Sequence, residues 1–168
     1  MNPYHLLGYS GFSYTYPVRP RKGEKIRFWQ NSGVSHVGRD KHAQDIIIPD
    51  PQERPLTIWV PQSGVIVGLA QNSTQWGETE RFAPFMNFIR VYVGDKEFYF
   101  IAHIRAHSCE FSIGDKVTKG AKLALTGANG WMTDVRHVHF MVGRFGRNLS
   151  YKSLKVRWDW KQSYAPAK

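Results

Sequence analysis

Hydrophobic residues in this chain come in short runs, alternating with polar ones or β-branched throughout, and Gly, Pro, Asn and Asp break them at close intervals. LTIWV (56–60), SGVIVGLA (63–70), MNFIRVYVG (86–94), KEFYFIAHI (96–104), KLALTG (122–127) and HVHFMVG (137–143) each read as a strand. A period of two dominates. A helical period surfaces only as a turn or two around QWGETERFAPFM (75–86). The pattern predicts an all-β chain, mainly antiparallel sheet, in one domain.

The flanks are less regular. Residues 1–30 combine tyrosines and prolines with the alternating KIRFWQ and read as loops and edge strands packed on a main domain over 31–157. Residues 31–55 read as a polar loop interrupted by Ile46-Ile47-Ile48. SLKVRWDWKQSYAPAK predicts a short strand and then a tail over 158–168. In GDKVTKGAKL two glycine turns flank Val117, which predicts a tight hairpin path around a sheet corner.

At 168 residues the chain is long enough to bury a core without staples. Its one cysteine, Cys109, excludes an intrachain disulfide framework and a thiolate-rich zinc site. No apolar run is long enough to span a membrane. The N-terminus lacks the basic start and apolar core of a signal peptide. The formal charge of +10 implies attraction to an anionic partner without choosing which. Its basic residues are modestly clustered and no aromatic–basic platform interleaves them, so no nucleic acid is expected as partner.

The candidate chemistry lies in the histidines. On a strand, His137 and His139 share one face about 6.6 Å apart, with Val138 and Phe140 on the other. Asp45 precedes three isoleucines, an odd place for a carboxylate unless a cation or hydrogen bonds hold it. Two imidazoles, one carboxylate and an open position make a hydrolytic zinc site; the bland alternative is a pair of half-buried histidines. Cys109 beside His107 offers a nucleophile, set against the usual role of a lone cysteine as a small hydrophobe. His107 and His5 read as surface residues.

The order of segments over residues 34–145 resembles the lysostaphin-type zinc metallopeptidases, of the duplicated hybrid motif fold. The resemblance rests on HVGRDKHAQDIIIP, VPQSGVIV, the Asn-led strand MNFIRVYVG, FYFIAHI, GDKVTKGAKLALTG and the final HVHF, in that order. It implies one zinc ion per chain, held by Asp45, His139 and a first histidine. His36 fits a long-loop form of the family's first motif; His42, three positions before Asp45, is the alternative. Asp40 completes a shorter H-x-G-x-D spelling but lacks the apolar strand and proline after it. The resemblance makes His103 and His137 catalytic histidines, and Asn87 and Trp131 are expected on the substrate cleft. Ile101, two residues before His103, and Val135-Arg136, before HVHF, depart from the family pattern without removing a ligand.

The implied activity is hydrolysis of stem peptides or cross-bridges of bacterial peptidoglycan, by a monomer at an extracellular or periplasmic site. Anionic wall polymers are possible further partners, and a phage lysin, a virion-associated enzyme or a leader-less secreted enzyme would suit the N-terminus. The rivals are a catalytically inactive member of the fold acting as a wall-binding, activator or virion structural protein, and a phosphocarrier built on a histidine pair.

Overall fold

The structure is a computed structural model and describes residues 2–20, 25–29, 36–47, 54–133 and 135–159. One helical turn, Pro3–Leu6, precedes strands β1 (Tyr9–Tyr14), β2 (Arg27–Trp29), β3 (Gln44–Ile47), β4 (Thr57–Trp59) and β5 (Gly64–Ala70). Next come β6 (Trp76–Gly77), β7 (Phe88–Gly94), β8 (Glu97–Ala102), β9 (Lys116–Val117) and β10 (Lys122–Leu125). β11 (Gly130–Trp131), β12 (Val138–Phe145) and β13 (Tyr151–Trp158) follow. The chain is mostly β, as its period predicts. The helical turn expected after Gln75 is a 3₁₀ segment, Glu80–Phe85, containing Pro84.

Nine strands form one curled sheet in the order β1-β13-β12-β8-β7-β5-β9, with β3 against β12 and β2 against β3. β12 organises the site. One edge runs along β8; the other is shared, its first residues pairing with β3 and its last with β13. Most pairings are antiparallel, but β1 runs parallel to β13 and β6 parallel to β11. The glycine turns of GDKVTKGAKL do not close a hairpin: β9 adds to β5, whereas β10 crosses to a separate ladder with β4. Val117 and Leu123 enter the core on either side of that crossing, which draws the two strands to different partners.

Alternation divides the sheet into two faces. Ile89, Val91, Tyr99, Ile101, Val138, Phe140 and Val142 point into the main core, together with Tyr14, Ile58 and Leu154. The opposite face carries Phe88, Phe98, Phe100, Ala102 and Met141, a smaller apolar layer that floors a cleft.

The N-terminal segment is tied down more firmly than its composition suggests. Glu97, fully buried, accepts hydrogen bonds from the Tyr14 hydroxyl at 2.6 Å and the Gly11 amide at 2.7 Å, and lies 2.7 Å from His5 Nε2. His5 is therefore buried rather than on the surface, because the Pro3–Leu6 turn folds over the start of β8. The residues of the Ile48-Pro49 end of the first motif, and those of the tail beyond 159, lie outside the described set.

Candidate metal centre and cleft

Strand register makes the first contact. Asp45 on β3 stands directly across from His139 on β12, which on its other side faces Ala102 of β8. His139 Nδ1 lies 3.0 Å from Asp45 Oδ1. His36 comes in from the loop before β3, which turns at Gly38 (φ 57°) into a 3₁₀ segment over Gly38–Asp40. Its Nε2 lies 3.3 Å from His139 Nδ1 and 3.4 Å from Asp45 Oδ1.

These three atoms fit a metal ion. With ligand bonds of about 2.0–2.2 Å, the edges of a tetrahedron around zinc are roughly 3.3–3.6 Å. Two of the three separations lie in that range and the third is a little short. The donors are two imidazole nitrogens and one carboxylate, largely withdrawn from solvent. Burial opposes ionisation of Asp45, but hydrogen bonds with His139 and His36 and the charges around it outweigh that and hold its carboxyl well below the usual range.

His42 stands apart from this group. Its backbone N–H donates to Ser153 Oγ, and its imidazole pKa is lowered by burial and then by Lys41 and Lys155. A ring beside two ammonium groups is poorly suited to a cation. Asp40 is engaged too, accepting from the Tyr151 hydroxyl at 2.8 Å on the cleft wall.

Two further histidines border the group. His137 precedes β12 rather than lying in it, so its placement does not come from the strand-face alternation the sequence suggested. Its Nδ1–H donates to the Val135 carbonyl at 2.9 Å, which leaves Nε2 3.7 Å from Asp45 Oδ1. Burial lowers its pKa, with Asp45 acting in the opposite sense. His103 packs edge-on against it, ring centroids 4.7 Å apart, and its own Nδ1–H donates to Asn129 O at 2.8 Å. Burial and then the neighbouring imidazoles push His103 down to about 3, so it is neutral at ordinary pH. Both rings are thus fixed as tautomers whose Nε2 carries the lone pair.

His103 reaches the cleft by a backbone irregularity. Ala102 faces the cleft side with His139, so simple alternation would send His103 into the main core. A left-handed φ of 63° turns it back. Such a conformation costs on the order of 1–3 kcal/mol and must be held by its surroundings. The His103 amide donates to Asn87 O, and its carbonyl accepts from Gly127 N. Gly127 is required there, because a Cβ would lie 2.6 Å from the Arg105 Cα.

Asn87, expected on the cleft, sits behind it: 1% exposed, with its side chain bonded to Ser73 and Ile104 backbone. Asn129, not singled out from the sequence, accepts from the Asn87 amide and donates to Ile104 O. Its only sequence signal is its place between glycines in TGANG.

The cleft has a volume of about 750 Å³. Asp45, His103, His137 and His139 lie on it, and Trp131 forms part of its wall, its indole N–H held by the Glu78 carbonyl. Cys109 is buried elsewhere, with a thiol pKa raised by burial, and His107 is not on a strand with it.

No family model and no curated protein matches the sequence. Solved structures do. The M23 metalloprotease pseudoalterin from the deep sea aligns with 86% of this chain and 75% of its own, at 15% identity and a TM-score of 0.61. The chain has the lysostaphin-type M23 peptidase fold. The catalytic domain of the prophage-encoded M23 protein EnpA from Enterococcus faecalis shares it at 18% identity and a TM-score of 0.51, over 80% of this chain and 92% of that one. So does a chain of the SpoIIQ–SpoIIIAH pore-forming complex, at 13% identity and a TM-score of 0.55, over 92% and 98%. The M23 fold therefore occurs both in metalloproteases and in a pore assembly, and residues must decide between those roles.

Proposed function

We propose that this chain is a zinc-dependent endopeptidase that cleaves peptide bonds in the stem peptides or cross-bridges of bacterial peptidoglycan. One observation carries the reading: His36, Asp45 and His139 converge at near-tetrahedral spacings beside two imidazoles whose Nε2 atoms carry the lone pair. When bound, zinc lowers the pKa of a water molecule and polarises a peptide carbonyl. The chain supplies the rest. His103, neutral and rigidly held, presents a lone pair that orients the water. His137 Nε2 takes the water's proton, is steadied as an imidazolium by Asp45, and returns it to the leaving amine. Phe88, Phe100 and Met141 give the cleft an apolar floor beneath the peptide.

In this reading the enzyme acts outside the cytoplasmic membrane, where its +10 charge favours anionic wall polymers. The pore-complex neighbour favours a second reading, an assembly protein on the same fold, but a protein needing only shape has no use for this donor set.

Digestion of purified peptidoglycan, with new amino groups followed by labelling and mass spectrometry, tests the proposal. Release that stops with a chelator, returns with zinc and falls about a hundredfold or more in His137→Ala is expected. Release indifferent to the chelator, or none at all, would contradict it.

A further inference from the structure

The cleft floor holds a cation that the chemistry above does not use. Arg90 projects from β7 on the same face as His139, because the pairs Arg90–Phe100 and Phe100–Met141 form the next cleft-facing row beyond Phe88–Ala102–His139. Its guanidinium lies 5.4, 5.6 and 5.8 Å from the ring centroids of Phe98, Phe100 and Phe88. Three aromatic faces hold an arginine in place while leaving its in-plane N–H donors free.

Those donors have no acceptor among the described residues. Among the described residues the buried Nε makes no hydrogen bond, and no described carboxylate forms an ion pair with the group. Asp40, the nearby acid on the wall, is already engaged by the Tyr151 hydroxyl and lies beside Arg39. A preorganised, half-buried guanidinium with no anion among the described residues is matched by a bidentate carboxylate.

We propose that Arg90 binds a carboxylate of the peptide lying in the cleft, resting on the reading of that cleft as a peptide site. Two strand spacings across and two residues along place Arg90 roughly 12 Å from His139 between Cα positions. An extended peptide covers that in about three residues. The carboxylate is therefore about three residues from the bond cleaved, either a chain terminus or an acidic side chain, and Arg90 selects acid over amide there.

The experiment measures binding by calorimetry to the full chain, as purified and again with zinc added. The probes are acetyl-Gly-Gly-Gly-Gly-Ala with a free C-terminus, its carboxamide, and the carboxamide with Glu at the fifth position. The proposal expects one or both acidic probes to bind about tenfold more tightly than the neutral one. Arg90→Gln abolishes the difference, and Arg90→Lys, which keeps the charge over the rings, retains part of it. Which acidic probe wins distinguishes terminus from side chain. Equal binding of all three, or a preference unchanged in a folded Arg90→Gln, overturns it. A preference that depends on Arg90 in a protein that takes up no zinc and cleaves nothing would uphold the subsite and refute the hydrolase.

Discussion

Asp45 is charged where burial alone would neutralise it, and the imidazoles opposite and beside it are the reason. Its importance was legible from one misfit, a carboxylate leading into three isoleucines, and its register across from His139 supplies the contact. His36 was harder to read, since loop length rather than a strand period decides which histidine reaches Asp45. Lys41 and Lys155 beside His42 could not be weighed from spacing, because Lys155 arrives from β13. Cys109 illustrates the opposite case, a nucleophile type with no nucleophile's setting. Burial raises its thiol pKa, so the folded state binds the thiol proton more tightly than the unfolded chain. The stability this gives is present below the ordinary thiol pKa and is lost as pH rises through the folded value. Native protein at pH 8 should therefore react with a thiol reagent at least tenfold more slowly than protein in denaturant; equal rates would show an accessible thiolate.

At the scale of elements, the strands were visible because their period is two, while the connections that build the site were not. His103 departs from alternation through a left-handed backbone that no pattern announces. Asn87 and Asn129, which hold that turn, look like ordinary loop amides until their partners are seen. Replacing Asn129 by Ala leaves the buried Asn87 backbone amide without its acceptor, while the Ile104 carbonyl keeps only the Asn87 side chain as donor. Leaving one buried amide unpaired costs about 1–3 kcal/mol. Urea unfolding should show that drop, and activity should fall with it because the His103 turn loosens. A change under about 0.5 kcal/mol would mean the amide is dispensable.

For the whole molecule, one sheet serves two purposes: one face is core and the other is cleft, with β12 common to both. The strands were legible in the sequence, but not how the sheet's N-terminal edge is completed. The parallel β1–β13 pairing and the His5–Glu97 contact join residues far apart in the chain, beyond the reach of local pattern. Glu97 binds the N-terminal segment to the β7–β8 hairpin, so Glu97→Ala should speed amide hydrogen exchange in residues 9–14 and destabilise the fold by roughly 3 kcal/mol. Unchanged exchange there would show that the segment is held by Tyr14 and its aromatic neighbours alone.

The central claim is that three side chains from a loop and two strands hold one zinc ion. Its most direct test is elemental analysis of the purified chain after zinc reconstitution and gel filtration, run beside His36→Ala, His42→Ala, Asp45→Ala and His139→Ala. One zinc per chain in the wild type and in His42→Ala, with loss in the other three, is the predicted result. No bound zinc in the wild type, or zinc lost in His42→Ala and kept in His36→Ala, would contradict it.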